Sequence, residues 1–446
     1  MKTQYIFIVT LAIIGLTSFS SCKKYLDVKP DSSLVIPETL NDCKLMLDDY
    51  SVMNSAYPSD GELAADNYYY NDIDYDAISD SETKNNYIWA PQAQHNSQWS
   101  GPYKIIYKAN LVLQVLGKLP NSGEEYNRLK GTALFFRAFA YYHLAQLFIK
   151  QYDAATAASD LGLPLRLNPE VDEKIQRASV QQTYDQILSD LNTAVGLLPN
   201  TTSIQSRPNK AAAYGALART YLTIQDYTNA GKMANEALNL YSTLMDFKTL
   251  TRITLFNPEV IFQAVTLGSD YFGPTVVKVD LDLYSSYQEN DQRKTLFFRA
   301  FGDGYAFVGS YNGVPNAALF TGIATDELYL IRAECSARAG NTTNSMADLN
   351  TLLRNRYDDS FIDLTAANAD DALVKILRER RKELVFRNHR WTDLRRLNKD
   401  PRFAITLRRN NSNFSYTPLA PNDLRYTLLI PYTEEINLSG ITQNPR

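Results

Sequence analysis

Histidine, tryptophan and cysteine are scarce in this chain, with three of each in 446 residues. His95, His143 and His389 stand far apart, with no ligand spacing between them or toward a cysteine. That spread argues against a zinc site and against a Cys–His nucleophile. An excess of basic charge is missing as well. Lys and Arg number 45 against 49 Asp and Glu, for a net charge of −4, which removes nucleic acid as the main partner, since phosphate binding rests on a basic surface. No nucleophile elbow, phosphate loop or metal-protease motif occurs, so no cofactor is expected. What the chain has instead is tyrosine, 30 residues of it. Tyrosine offers a flat apolar face with a hydroxyl at its edge, which suits sugars and peptides. With 45% hydrophobic residues, a large buried core is available.

At the N-terminus, Lys2 precedes an apolar run over residues 5–16 that is too short to span a bilayer and is followed by small residues. This is the plan of a secretory signal peptide, here residues 1–21. The Ser20-Ser21-Cys22 end resembles a bacterial lipoprotein cleavage site, with Phe19 in place of the usual aliphatic residue. Cys22 would then be acylated as the first mature residue, and several acyl chains hold a protein on a membrane where one does not. Cys43 and Cys335 remain, either as a pair or as two free thiols.

Residues 51–100 show little periodicity and are rich in Asp, Asn, Tyr and Pro, so they read as ordered loops with short helices. Nine tyrosines and two of the three tryptophans fall between Tyr50 and Tyr107. Asp72-x-Asp74-x-Asp76 copies the start of a calcium loop, but Ala77 replaces the required Gly and Thr83 the bidentate Glu. Residues 102–119 and 124–150 carry apolar stripes on either side of a break at 121–123 and predict a helical hairpin. Ser179 is the expected cap of a helix over 179–198. Residues 209–240 place Ala and Gly at 211, 212, 213, 215, 216 and 218, then Ala230, Ala234 and Ala237 beyond a turn. Small residues at that spacing let two helices approach closely, which is the logic of tetratricopeptide hairpins, and 326–355 repeats the theme. Between the two copies, 243–325 is punctuated by glycine, with a short strand at 257–263.

The peculiar stretch is 374–397, VKILRERRKELVFRNHRWTDLRRL, where apolar positions at helical spacing alternate with Arg and carboxylate. So many charges close to a core imply a buried structural network of ion pairs. The Glu379–Phe386 run, the His389-Arg390-Trp391-x-Asp393-Leu394 run, Arg137 with its aromatic neighbours, the Asp326-Glu327-Leu328 segment and the Gln443-Asn444-Pro445 tail resemble the SusD/RagB family of outer-membrane nutrient-binding lipoproteins. The resemblance covers nearly the whole mature chain. It implies a mainly α fold, a helical bundle built on tetratricopeptide-like hairpins with long loops and a few short strands. Residues 22–446 would form one domain: a tether and loop-rich part at 22–100, hairpins at 101–242 and 325–398, a loop-rich middle at 243–324 and a tail at 399–446. It further implies glycan or peptide capture, no enzymatic activity, and delivery to a SusC-like TonB-dependent transporter in the outer membrane.

Aromatic binding surface is expected on the loops, because helical hairpins spend their faces on each other. Trp89 lies in a polar, loop-like sequence and is the expected sugar-stacking residue. Trp99 opens a Trp-x-x-x-Tyr-x-x-Ile helix and is expected in the core. Tyr68, Tyr69 and Tyr70 cannot all point inward on one backbone run, so at least one is expected outside. Tyr305 and Tyr311 join the candidates from the middle loops. A secreted glycoside hydrolase is the distant alternative, with Asp60, Glu62 and Asp66 as its acids.

Overall fold

Helix starts in this protein are written in Ser, Asn and Asp. Ser179 accepts from the Gln182 N–H while the Gln182 side chain accepts from the Ser179 N–H, a capping box that opens the Val180–Leu197 helix. Asn209, Asp226, Asn341 and Asn368 cap the helices Lys210–Thr223, Tyr227–Leu240, Thr342–Leu353 and Ala369–Glu383 in the same way. These features come from a computed structural model, which describes residues 37–120, 123–170, 176–269, 271–273, 275–314, 316, 318–409, 415–432 and 440–446. Residues 1–21 and Cys22 lie outside them. The chain divides after Glu38, and every element below belongs to the Thr39–Arg446 unit.

The helices pack in sequence order. Asn96–Leu116 lies on Glu124–Phe148, which lies on Val180–Leu197; Lys210–Thr223 pairs with Tyr227–Leu240, then Thr325–Arg338 with Thr342–Leu353 and Ala369–Glu383. Small residues set the spacing as expected. A Cβ at Gly215 would come within 2.5 Å of Ile323, and one at Gly231 within 3.0 Å of Cys335. Cys335 and Cys43 are both free and buried, and burial pushes their thiols up to about 12 and about 11. Neither is a nucleophile at neutral pH. Strands are minor: among the described residues they pair only two at a time, all antiparallel, as in Tyr68–Tyr69 with Lys278–Val279 and Val260–Phe262 with Ile323–Ala324. The fold is thus mainly α, with helical hairpins and a few short strands.

Two expectations shift. The first long helix begins at Asn96 and contains Pro102, although a proline is cheapest in the first turn. The extra turn is held by Trp99, which packs edge-on to Phe148 at 5.0 Å and beside Tyr103 at 4.9 Å. Trp99 is therefore core, as expected. The Asp72–Asp76 segment is a helix, not a calcium loop; on a helix, residues two apart do not face each other, so Asp74 turns away from Asp72 and Asp76.

The 374–397 stretch breaks into two helices, Ala369–Glu383 and Arg390–Leu397, with Phe386 and Asn388 at positive φ between them. Its charges form the expected buried network. Arg293 holds Asp291, Glu379 and Glu383; Arg356 bridges Glu383 and Glu259; Arg396 pairs with Glu334 and Asp393. Arg293, Asp291 and Glu259 come from the loop-rich middle, Arg356 follows the Thr342–Leu353 helix, and Glu379 and Glu383 stand on Ala369–Glu383, so the network ties the middle to the hairpins. Arg137 faces the core likewise, bidentate on Asp190 at 2.7 Å.

Candidate functional site

The loops at 59–90 and 268–311 are organised by a core of their own, largely aromatic, separate from that of the hairpins. Tyr68, Tyr70, Tyr87, Phe272 and Phe386 meet edge to face or tilted, with centroids 4.8–6.5 Å apart. The Arg409 guanidinium lies 3.9 Å from the Tyr87 ring and 4.5 Å from Trp89, and donates to the carbonyls of Leu63, Ala64, Ala65 and Tyr87.

Burial absorbs most of the residues expected to bind ligand, Trp89 in the core of the hairpins and Tyr68, Tyr70 and Tyr311 in this one. Trp89 is 2% exposed, stands at φ 55° and donates its indole N–H to the Ala64 carbonyl at 2.9 Å. It is a packing residue and not a surface platform. Tyr68 and Tyr70, on the same face of the run, are buried with their hydroxyls donating to Leu63 O and Tyr271 O. Tyr311 is buried and donates to Glu259 at 2.6 Å. For these four the expectation of an exposed ring fails, because the loops fold onto their own aromatics.

Tyr69 and Tyr305 differ. Both are half-buried, and the Tyr69 hydroxyl lies 3.0 Å from where a Cβ at Gly304 would stand, on the face of the strand opposite to Tyr305. Tyr305 stacks on half-buried Tyr284, with rings 3.5 Å apart and 14° from parallel. The Phe298–Phe301 and Gly304–Phe307 hairpin carries Tyr305, and the Lys278–Asp303 ion pair braces it against the strand that pairs with Tyr69.

Beside this core lies a cavity of about 170 Å³, walled by Ser59, Asp60, His95, Gln98, Tyr271 and Phe272 among others. Asp60 is 1% exposed. Its Oδ1 meets His95 Nδ1 at 3.1 Å, and its Oδ2 has no hydrogen-bond partner among the described residues. His95 Nε2 stands 3.6 Å from Glu82. Burial alone would lower the His95 pKa, but Asp60, then Glu82 and Asp80, raise it to about 9, so at neutral pH the ring is an imidazolium that donates to Asp60. Gln98 Oε1 accepts from the Ser59 and Asp60 N–H groups at 2.6 and 3.3 Å and fixes the turn that aims the carboxylate. The result is a concave site with two aromatic rings, a buried carboxylate and an imidazolium.

Sequence reasoning overlooked His95 as a site residue and weighed Asp60 only as a catalytic acid. The two are joined across 35 positions, a separation that leaves no local signal. His143 and His389 are ordinary buried rings, held well below the usual range by burial and then by Arg219.

Glu62 and Asp66 do not line the cavity. Glu62 is buried, accepts from Asn67 and from the Asn388 N–H, and is pushed up to about 7 by burial. Burial would also raise Asp66, but Arg390 and Arg381 hold its carboxyl well below the usual range. Both are structural. Glu259, Asp326 and Glu383 approach closely enough to share a cation, but Arg356, Arg387 and Arg293 already occupy their oxygens.

A family model described as starch-binding and associating with the outer membrane matches residues 24–222, and the model of the SusD family matches 325–445. The chain is 24% identical to SusD-like protein P2 of Formosa agariphila over 365 residues, which cover 67% of this chain and 71% of that one. A second relative from the same organism is spanned over 60% of its length. A SusD superfamily protein of Bacteroides thetaiotaomicron superposes with a TM-score of 0.76 at 22% identity, over 92% of this chain and 100% of that one. A laminarin-binding SusD-like protein superposes with a TM-score of 0.67 at 19% identity, over 91% and 98%. Members of the family are carbohydrate-binding proteins and not enzymes. With residues 24–222 and 325–445 matched by these models and the fold shared over 92% of the chain, the chain belongs to the SusD/RagB family.

Proposed function

We propose that this protein captures glycan at the outer membrane, held there by a lipid on Cys22 and facing the exterior, and delivers it to a TonB-dependent transporter of the SusC kind over which it sits. The observation that carries the reading is the cavity beside the aromatic core, lined by Tyr271, Phe272 and Asp60, whose Oδ2 has no hydrogen-bond partner among the described residues. Sugar rings lay their C–H faces on aromatic side chains while their hydroxyls donate to carboxylates and accept from imidazolium. At about 170 Å³ the cavity is smaller than the roughly 300 Å³ at which drug-sized pockets begin, so it takes one ring of a chain. Tyr69, Tyr284 and Tyr305 offer further half-exposed rings. No helix among the described residues is long and apolar enough to cross a membrane.

The test is calorimetric titration of the soluble chain with laminarin-, starch- and pectin-derived oligosaccharides, with reducing ends assayed alongside. Saturable binding without new reducing ends is the expected result. Measured turnover that disappears in a carboxylate variant would refute it. A carboxylate also accepts an ammonium, so peptide capture through a free N-terminus is the second reading that Asp60 favours. Peptides bound in place of every glycan would decide for it. Cys22→Ala should move the protein from the membrane fraction to the soluble fraction.

A further inference from the structure

A second cavity, of about 140 Å³, opens where the C-terminal end of the Glu124–Phe148 helix meets the Arg390–Leu397 helix and residues 422–427. Arg395 stands on its wall, 2% exposed, and its terminal nitrogens donate to the carbonyls of Ala145, Gln146 and Ile149. Those carbonyls carry the partial negative charge of a helix end, not a full one. Its neighbours along the chain each meet a carboxylate: Arg380 meets Asp393, Arg387 meets Asp326 and Arg396 meets Glu334. Arg395 has no carboxylate partner among the described residues, and burial pulls its pKa down to about 10.

Unpaired polar atoms collect on the same wall. Gln151 Oε1, Arg395 Nε, Asn398 Nδ2 and Tyr426 OH have no hydrogen-bond partner among the described residues, and Arg395, Asn398 and Tyr426 are all more than nine-tenths buried. The Asn398 amide stands beside the Tyr426 hydroxyl without closing a hydrogen-bond geometry. Buried groups in this state are rare, because each has given up water without replacing it. Here three donors and one acceptor share a single cavity. The other charges on the wall are spent, Lys150 on Asp160, Lys399 on Asp153 and Asp423 on Arg425, so one net positive charge remains.

We propose that this cavity binds the carboxylate of a small hydroxy acid no larger than a sugar acid, with Arg395, Asn398 and Tyr426 donating to the carboxylate and Gln151 accepting from a hydroxyl. The charge selects an acid over a neutral sugar, and the volume excludes anything longer than one ring. The acid reaches the site either free or as the end residue of an acidic glycan.

The test is titration of the full chain with galacturonate, with galactose as the neutral compound of like size, and with a galacturonate trisaccharide. Galacturonate should bind saturably and galactose should not. Binding of the trisaccharide as well identifies a chain end as the source, and binding of the monomer alone identifies the free acid. Arg395→Lys risks the fold, since Arg395 closes a helix end, so the decisive variant is Tyr426→Phe. It removes a hydroxyl that has no partner and keeps the ring on Trp391. This variant should lose at least severalfold in galacturonate affinity while melting at an unchanged or higher temperature and binding neutral glycan as before. Equal binding of the acid and the neutral sugar, no binding of either, or an unchanged galacturonate affinity in Tyr426→Phe would each overturn the proposal.

Discussion

The charged stretch at 374–397, expected to form a buried network of ion pairs, and the tyrosine-rich loops at 59–98, expected to offer binding surface, treat their polar groups differently. In the charged stretch nearly every buried carboxylate is paired: Glu379 and Glu383 with Arg293, Glu383 again with Arg356, Asp393 with Arg380 and Arg396. In the loops the aromatic residues do the packing, and a carboxylate oxygen of Asp60 is left over at a cavity wall. The carboxylates of the charged stretch are spent on arginines and hold the fold together, even where donors of Arg380, Arg387 and Arg395 are left over, whereas an unpartnered carboxylate oxygen beside a concave site is available to a ligand.

The sharpest way to break this comparison is Arg356→Ala, which takes from buried Glu259 its arginine and leaves Glu383 with Arg293 alone. Removing one partner of a buried network costs about 3–5 kcal/mol, so the variant should unfold at a much lower urea midpoint or fail to accumulate. A loss under ~1 kcal/mol would mean that the network is incidental. Trp89→Ala comes next, at about 3 kcal/mol from a large buried ring. Chemical denaturation should show that loss, and a stable variant with weakened glycan binding would restore Trp89 to the surface. Asp60→Asn should weaken glycan binding about tenfold, or ~1.4 kcal/mol, with little change in melting temperature. Unchanged affinity removes Asp60 from the site.

The pH dependence is a smaller effect. His95 has its folded pKa raised to about 9 from the usual 6.5 of a histidine. Its contribution is therefore fully present below about 6.5 and is lost as pH rises through about 9. Allowing for its partial exposure, the contribution is on the order of 1 kcal/mol. Melts across that window should show the decline, and His95→Gln should flatten it. The smallest effect belongs to Tyr305→Ala, where one stacked pair is worth about 0.5–1.5 kcal/mol. Glycan affinity should drop severalfold at most, with stability almost unmoved.

Much of the scaffold was legible in the residues. Ser179 announces its helix because its hydroxyl competes for backbone N–H groups, and Gly215 announces a close contact because no side chain fits beside Ile323. The Arg and Glu of 374–397 announce ion pairs because a lone buried charge is too costly to keep. The site was less legible. Trp89 sits in polar sequence and was expected outside on the premise that loops lie on the surface. These loops bury their own aromatics, and nothing local records that. Tyr69, by contrast, follows from alternation alone, since Tyr68 and Tyr70 share the inward face.

By itself the sequence determined the helical hairpins, their caps, the charged network and the motifs of the family, all of which rest on spacings of a few residues along the chain. Only the tertiary structure decided which tyrosines remain accessible, that His95 serves Asp60, and that buried Arg395 has no carboxylate partner among the described residues. Those outcomes depend on contacts between positions tens to hundreds apart. Whether a ring or charge is spent or left over is settled by what the rest of the chain brings to it.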